Sequence, residues 1–149
     1  MRLFNPLICY AILNMFGITS AVHFKDCGSS KARATSVAIY PCNFEPCTLI
    51  RGQQSSFQIS FTAVQDIYPG GVRVKARLPS GVMTIPIPES NVCNHLTPRC
   101  PVMSGGHYSY RYTNVLPQQL PSGLWTIEIE LLDTNTDPFV CVEINVHIA

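Results

Sequence analysis

Cys27, Cys42, Cys47, Cys93, Cys100 and Cys141 are the residues of this chain with the clearest chemistry open to them, and that chemistry is oxidation in pairs. Cys42 lies close to Cys47 and Cys93 close to Cys100, while Cys27 and Cys141 stand near opposite ends. A seventh cysteine, Cys9, precedes them all. Cytosolic thiols stay reduced, whereas a small secreted domain uses an even set of cysteines to staple a modest core. Six cysteines admit many connectivities, and at this point the pairing stays open.

Catalysis finds little footing. His23, His95, His107 and His147 lie far apart and show no metal-ligand spacing. The chain contains no Gly-x-Ser-x-Gly, no His-Glu-x-x-His and no phosphate loop. With the six cysteines bridged, no nucleophilic thiolate remains. The expectation is a protein without enzymatic activity, cofactor or metal.

The N-terminus accounts for the odd cysteine. Met1-Arg2 is a short positive start, and Leu3 to Ile18 is mostly apolar, interrupted by Asn5, Pro6 and Asn14. Thr19-Ser20-Ala21 offers the small residues a signal peptidase accepts, so residues 1–21 read as a signal peptide cleaved after Ala21, taking Cys9 with it. The apolar stretch is short and broken for a membrane span, which needs ~20 apolar residues. Residues 22–149 suffice for one domain with one core. Without Arg2 the charges balance, which argues against nucleic acid as a partner. Charged residues are 13% of the chain beside 46% hydrophobic ones, about half the usual ~25% charged. An internal apolar cavity, or an apolar mouth, would absorb that surplus.

The elements that must hold these residues read as strands. Apolar residues alternate with polar ones through Phe57–Ala63, Val72–Leu78, Tyr108–Tyr112, Trp125–Leu131 and Val140–Ile148, the period-two signature of half-buried strands. A further strand runs through Val37 and Ile39 to Cys42, and a short one lies near Val82–Ile85. Pro69-Gly70-Gly71, Pro79-Ser80-Gly81, Ser104-Gly105-Gly106, Pro121-Ser122-Gly123 and Asp133–Pro138 break the runs. About seven short strands of this kind make an all-β, immunoglobulin-like, two-sheet antiparallel sandwich.

An immunoglobulin domain with a filled core is the first rival. Its central disulfide needs inward-facing cysteines, yet Cys141 shares the parity of Glu143 and Asn145 and not that of the apolar row. A bridge from Cys141 therefore belongs on the outer side of its sheet, tying down the N-terminal segment and leaving the interior free of disulfides.

Several motifs now fall into one order. Val22-His23-Phe24-Lys25-Asp26-Cys27-Gly28-Ser29 opens the mature chain. Pro41-Cys42, Pro46-Cys47-Thr48-Leu49, Arg51-Gly52-Gln53 and Phe61-Thr62 follow. Then come Ile85-Pro86-Ile87-Pro88-Glu89, Cys93 with Cys100-Pro101, Tyr108-Ser109-Tyr110 and the closing strand around Cys141. This succession resembles the ML family of lipid-recognition domains, and within it the Niemann–Pick type C-two cholesterol-transfer branch. The family also includes group-two mite allergens, a lipopolysaccharide co-receptor and the ganglioside activator. The similarity covers essentially residues 22–149.

The resemblance implies an ML sandwich whose sheets part around an apolar ligand cavity, with bridges Cys27–Cys141, Cys42–Cys47 and Cys93–Cys100. It places Ile85 where the cholesterol carriers have phenylalanine, Leu116 opposite valine and Leu120 opposite tyrosine, at positions that line and gate the sterol pocket. Two aromatics replaced by aliphatics suggest a pocket widened toward fatty acids. The inward rows add Phe61, Tyr108, Tyr110 and Trp125 as cavity residues; a tyrosine hydroxyl could meet a ligand's polar head, or the row could simply pack on Trp125. Ile85-Pro86-Ile87-Pro88 is confined to an edge or loop by its prolines and would make a lip of the cavity. Arg73, Lys75 and Arg77 form a basic row that could meet anionic headgroups.

The implied function is a secreted, monomeric carrier of a sterol or related lipid. It would touch a membrane or a lipid-transfer protein transiently through the cavity mouth. A secreted immune or chemosensory factor for microbial lipids or small hydrophobic signals is the first alternative, the filled immunoglobulin-like module the second. No Asn-x-Ser/Thr acceptor occurs after residue 21, so the expected location is extracellular before lysosomal.

Overall fold

The computed structural model describes residues 20–149. Cys9 and nearly all of the expected leader lie outside the described residues. Eleven strands form in chain order: β1 (Ser20–Val22), β2 (Lys25–Asp26), β3 (Ala32–Tyr40), β4 (Cys47–Leu49), β5 (Gln54–Ala63), β6 (Pro69–Leu78), β7 (Gly81–Ile85), β8 (Leu96–Thr97), β9 (His107–Val115), β10 (Gly123–Asp133) and β11 (Pro138–Ile148). Among the described residues a single 3-10 turn spans Val92–His95. The seven longest strands are those expected from the sequence, five of them by alternation. The remaining four have two or three residues each, too few to display a period.

The strands make two sheets. One has the order β1-β3-β5-β9-β8; the other runs β2-β11-β10-β6-β7, with β4 added alongside β11. Pairing is antiparallel except between β4 and β11, which run parallel with Val146 opposite Cys47 and Ile148 opposite Leu49. The expected two-sheet antiparallel sandwich forms, and this one short parallel pairing joins it where the chain crosses from the first sheet to the second after β3. β1 pairs Ser20 with Ile39 and Ala21 with Ala38, so two of its residues lie on the leader side of the boundary expected after Ala21.

Alternation decides which face each strand buries. Ile59, Phe61 and Ala63 are buried on β5, Tyr108, Tyr110 and Tyr112 on β9, and Trp125, Ile129 and Leu131 on β10. Every second residue of these strands turns to a common interior.

The three bridges form between Cys27 and Cys141, Cys42 and Cys47, and Cys93 and Cys100. Cys141 sits on the outer side of its sheet, where β2 pairs with β11 and the Cys27 amide donates to the Cys141 carbonyl at 2.9 Å. The expected absence of any disulfide from the interior needs one correction. Cys42 and Cys47 are 3% and 1% exposed and belong to the core. Their bridge joins the segment leaving β3 to β4 in the facing sheet, so it closes the end of the interior without crossing its middle.

The basic row of β6 meets its counter-charges on the same outer face. Arg73 Nε donates to Glu130 Oε1 at 2.6 Å, and Arg77 lies 2.9 Å from Glu143 and 3.8 Å from Glu128. Two of the three cations are therefore engaged within the sheet, which blunts their reading as a headgroup-binding patch.

Asp133 ties the β10–β11 turn to the first sheet. It is 4% exposed and accepts from Lys31 Nζ at 2.6 Å and from the Asn135 and Asp137 amides at 2.9 and 3.0 Å. Gly70 permits the close approach, because a Cβ there would stand 2.7 Å from the Asp133 carbonyl oxygen.

Two outcomes test this frame. The bond from Lys31, offset in part by burial and helped by the two amides, holds the Asp133 carboxyl below its ordinary value. Its contribution to stability is present above the unfolded carboxylate pKa of about 4 and is lost as pH falls through the lower folded value. Asp133→Asn should cost roughly 1.5–3 kcal/mol at neutral pH and flatten the acid limb of urea midpoints measured against pH. Replacing both Cys27 and Cys141 by serine opens a loop of 114 residues and should cost about 4–5 kcal/mol in the chain-entropy model, read by urea unfolding.

Candidate functional site

The sandwich is filled unevenly along its length. Phe61 stacks on Tyr108 at 5.7 Å and meets Phe139 edge-on at 5.6 Å. These rings lie at the end of β5 and the starts of β9 and β11, and they close that half of the interior. At the other half, the facing side chains are mainly aliphatic and a cavity of about 170 Å³ remains between the sheets.

Both sheets contribute to its wall. Ile39 on β3, Ser55, Ser56 and Phe57 on β5, and Tyr112, Asn114 and Val115 on β9 come from one sheet. Leu49 on β4, Val74 on β6, Met83 and Ile85 on β7, Trp125, Ile127 and Ile129 on β10, and Ile144, Val146 and Ile148 on β11 come from the other. Two connections complete it: Pro86 and Ile87 after β7, and Leu116, Pro117 and Leu120 between β9 and β10. Pro86, Asn114, Val115 and Pro117 are exposed while Ile129, Val146 and Ile148 are buried, so the mouth opens at these two connections.

Local chemistry shapes that mouth. Pro86 and Pro88 keep the segment after β7 from pairing further. The β9–β10 connection is pinned on its other side: the Gly52 amide donates to the Leu116 carbonyl at 2.8 Å, the Leu116 amide to the Gln53 carbonyl at 3.0 Å, and Arg51 to the Leu120 carbonyl at 3.1 Å. Gly52, at φ +81°, makes the tight turn beneath Gln118.

Of the residues singled out in the sequence, Ile85, Leu116, Leu120 and Trp125 meet around the cavity, and Ile87 joins them at the lip. Phe61, Tyr108 and Tyr110 share the inward face but do not line it. Tyr108 is spent at the filled end, where its hydroxyl accepts from the Met103 amide at 2.9 Å. Tyr110 is 0% exposed, and burial, with lesser effects of Tyr112 and Glu89, pushes its phenol well above the ordinary range. The tyrosine row packs on Phe57, Phe61 and His95; among the described residues no ring contact to Trp125 accompanies these. The lining residues of β11, β3 and β5 escaped the sequence reading, although Ile144, Val146 and Ile148 were visible in it as an apolar row.

Polar groups in the lining are few. The Tyr112 hydroxyl accepts from Asn114 Nδ2 at 3.4 Å, and Asn114 Oδ1 accepts from the Val115 amide at 2.9 Å. The four histidines stand apart: His23 pairs with Glu45, His107 with Thr62, and His95 lies against Tyr110 and Tyr112. Cys27, Cys141 and Glu128 cluster within 4.8 Å, but both sulfurs are spent in a disulfide and offer no thiolate to a metal. What the arrangement can do is hold an apolar guest.

A family model described as the ML domain matches residues 21–148. The chain belongs to the ML family. This ML domain is 31% identical over 150 residues to the NPC intracellular cholesterol transporter 2 of Bos taurus, covering 99% of each chain. It is 30% identical over 142 residues to homolog a of that transporter in Drosophila melanogaster, covering 93% of each. The mite group 2 allergen Gly d 2.02 of Glycyphagus domesticus is 28% identical over 109 residues, covering 73% of this chain and 84% of the allergen. Among solved structures, a Niemann-Pick type C2 protein from the Japanese carpenter ant superposes with a TM-score of 0.75 at 21% identity, covering 86% of this chain and all of that one. That likeness speaks for the fold. Three disulfides in an ML domain place the protein in the secretory pathway.

Enlarging the cavity should be costly unless it is filled. Ile144 is 4% exposed and lines the wall, so Ile144→Ala should lose about 2–5 kcal/mol. Benzene, which enters dry engineered cavities of this order, should restore part of the melting temperature of the variant and raise that of the parent less.

Proposed function

We propose that this ML domain carries a sterol or related lipid, held noncovalently between its sheets and passed between membranes or proteins outside the cell. The observation that carries the reading is the cavity: an apolar space walled by both sheets, reached through an apolar lip. The cholesterol transporters to which the chain is similar along nearly its whole length support it. Nothing in the reading requires a catalytic step or a cofactor, and a single copy contains the whole cavity.

The driving force is removal of apolar surface from water. A sterol burying ~500 Å² at ~25 cal/mol per Å² gains about 12 kcal/mol gross, against ~4–15 kcal/mol for lost translational and rotational freedom. That margin supports micromolar binding or better without strong polar contacts. A volume of about 170 Å³ is less than the ~300 Å³ at which drug-sized sites begin, so a sterol requires the sheets or the two lip segments to part. The aliphatic side chains of Ile85, Leu116 and Leu120 can move aside more cheaply than stacked rings would.

The same volume favours a second reading, a sensor for a smaller hydrophobic signal that fits without such opening. Vesicle assays separate the two: a carrier accelerates transfer of fluorescent sterol between liposomes, whereas a sensor binds its small ligand and leaves transfer unchanged. Leu116→Phe and Ile85→Asp should each weaken binding of dehydroergosterol at least about tenfold, a loss of ~1.4 kcal/mol, with disulfides and far-ultraviolet circular dichroism intact. Unchanged affinity in both variants would remove the cavity as the lipid site.

A further inference from the structure

Trp125 is the chain's single tryptophan. It is 1% exposed, lines the cavity beside its cross-strand partner Val146, and its Nε1–H meets no acceptor among the described residues. Buried indole N–H groups usually find a partner, and one left unpaired keeps its full desolvation penalty. The lining offers little that could serve. The Tyr112 hydroxyl and Asn114 Oδ1 are engaged with neighbours, and apart from Ser55 and Ser56 the other side chains of the wall are hydrocarbon or thioether. Among the described residues two further buried atoms lack hydrogen-bond partners, Tyr110 Oη and His95 Nε2, but neither residue lines the cavity.

We infer that the ligand supplies the missing acceptor: an oxygen of the bound lipid, as carbonyl, carboxylate or hydroxyl, takes the hydrogen bond of Trp125 Nε1. This inference rests on the cavity being the lipid site. Its consequence is selectivity of a kind that the hydrocarbon wall cannot provide. Apolar walls discriminate weakly between ligands differing by a methylene, while a buried donor rejects the ligand that leaves it unpaired. The cavity therefore prefers an oxygenated lipid to a hydrocarbon of the same shape.

The test uses the full mature protein, labelled with nitrogen-15 and on isoleucine, leucine and valine methyl groups. Cholesterol and palmitic acid are titrated in parallel with cholestane and hexadecane. With one tryptophan, the indole proton gives a single cross-peak. It should move downfield with the oxygenated member of at least one pair and stay unmoved by the hydrocarbons, while cavity methyls shift in either case. Trp125→Phe should shrink the preference for the oxygenated ligand over its hydrocarbon counterpart by roughly threefold to tenfold, the equivalent of one hydrogen bond. An indole proton that stays put while cavity methyls respond, or one already downfield without ligand, overturns the inference and spares the cavity. Cavity methyls that respond to none of the four probes overturn the lipid site itself.

Discussion

Everything in this molecule depends on two sheets that each have one apolar face and must cover it with the other. Packed sheets stand about 10 Å apart, and that gap has to be filled from both sides. Rings fill it at one end, where Phe61, Tyr108 and Phe139 interlock. Shorter branched side chains face each other at the other end and leave a space. The cavity is thus a property of where bulky residues fall along the strands, and its apolar character follows from the same alternation that builds the core.

The covalent and ionic restraints sit where they do not obstruct that space. Cys27–Cys141 fastens the N-terminal segment against the outer side of β11. Arg73 and Arg77 pair with glutamates across the same outer face. Cys42–Cys47 closes one end of the interior, and the buried Asp133 secures the turn at the other.

Among the few polar groups of the wall, Trp125 stands out as a buried donor that meets no acceptor among the described residues. The packing of β10 thus sets a hydrogen-bonding demand beside an otherwise mainly hydrocarbon space.

Face and period were readable from the residues alone. Alternation in β5, β6, β9, β10 and β11 named the inward rows, the parity of Cys141 put its bridge outside, and the prolines around Ile85 and Ile87 marked an edge. These are local properties, set by the pleat of a strand within a few residues. Position along the strand was not readable: Phe61, Tyr108 and Tyr110 share the inward face with Trp125, yet they pack the filled end while Trp125 borders the cavity. That distinction depends on register, on Phe61 lying opposite Tyr108 and Trp125 opposite Val146, and on which side chains of the facing sheet reach across. The parallel pairing of β4, the burial of Cys42–Cys47 and the ion pairs of Arg73 and Arg77 are likewise products of distant segments meeting. Sequence determined what each strand would turn inward; only the tertiary structure decided which of those residues would touch each other and which would be left facing open space.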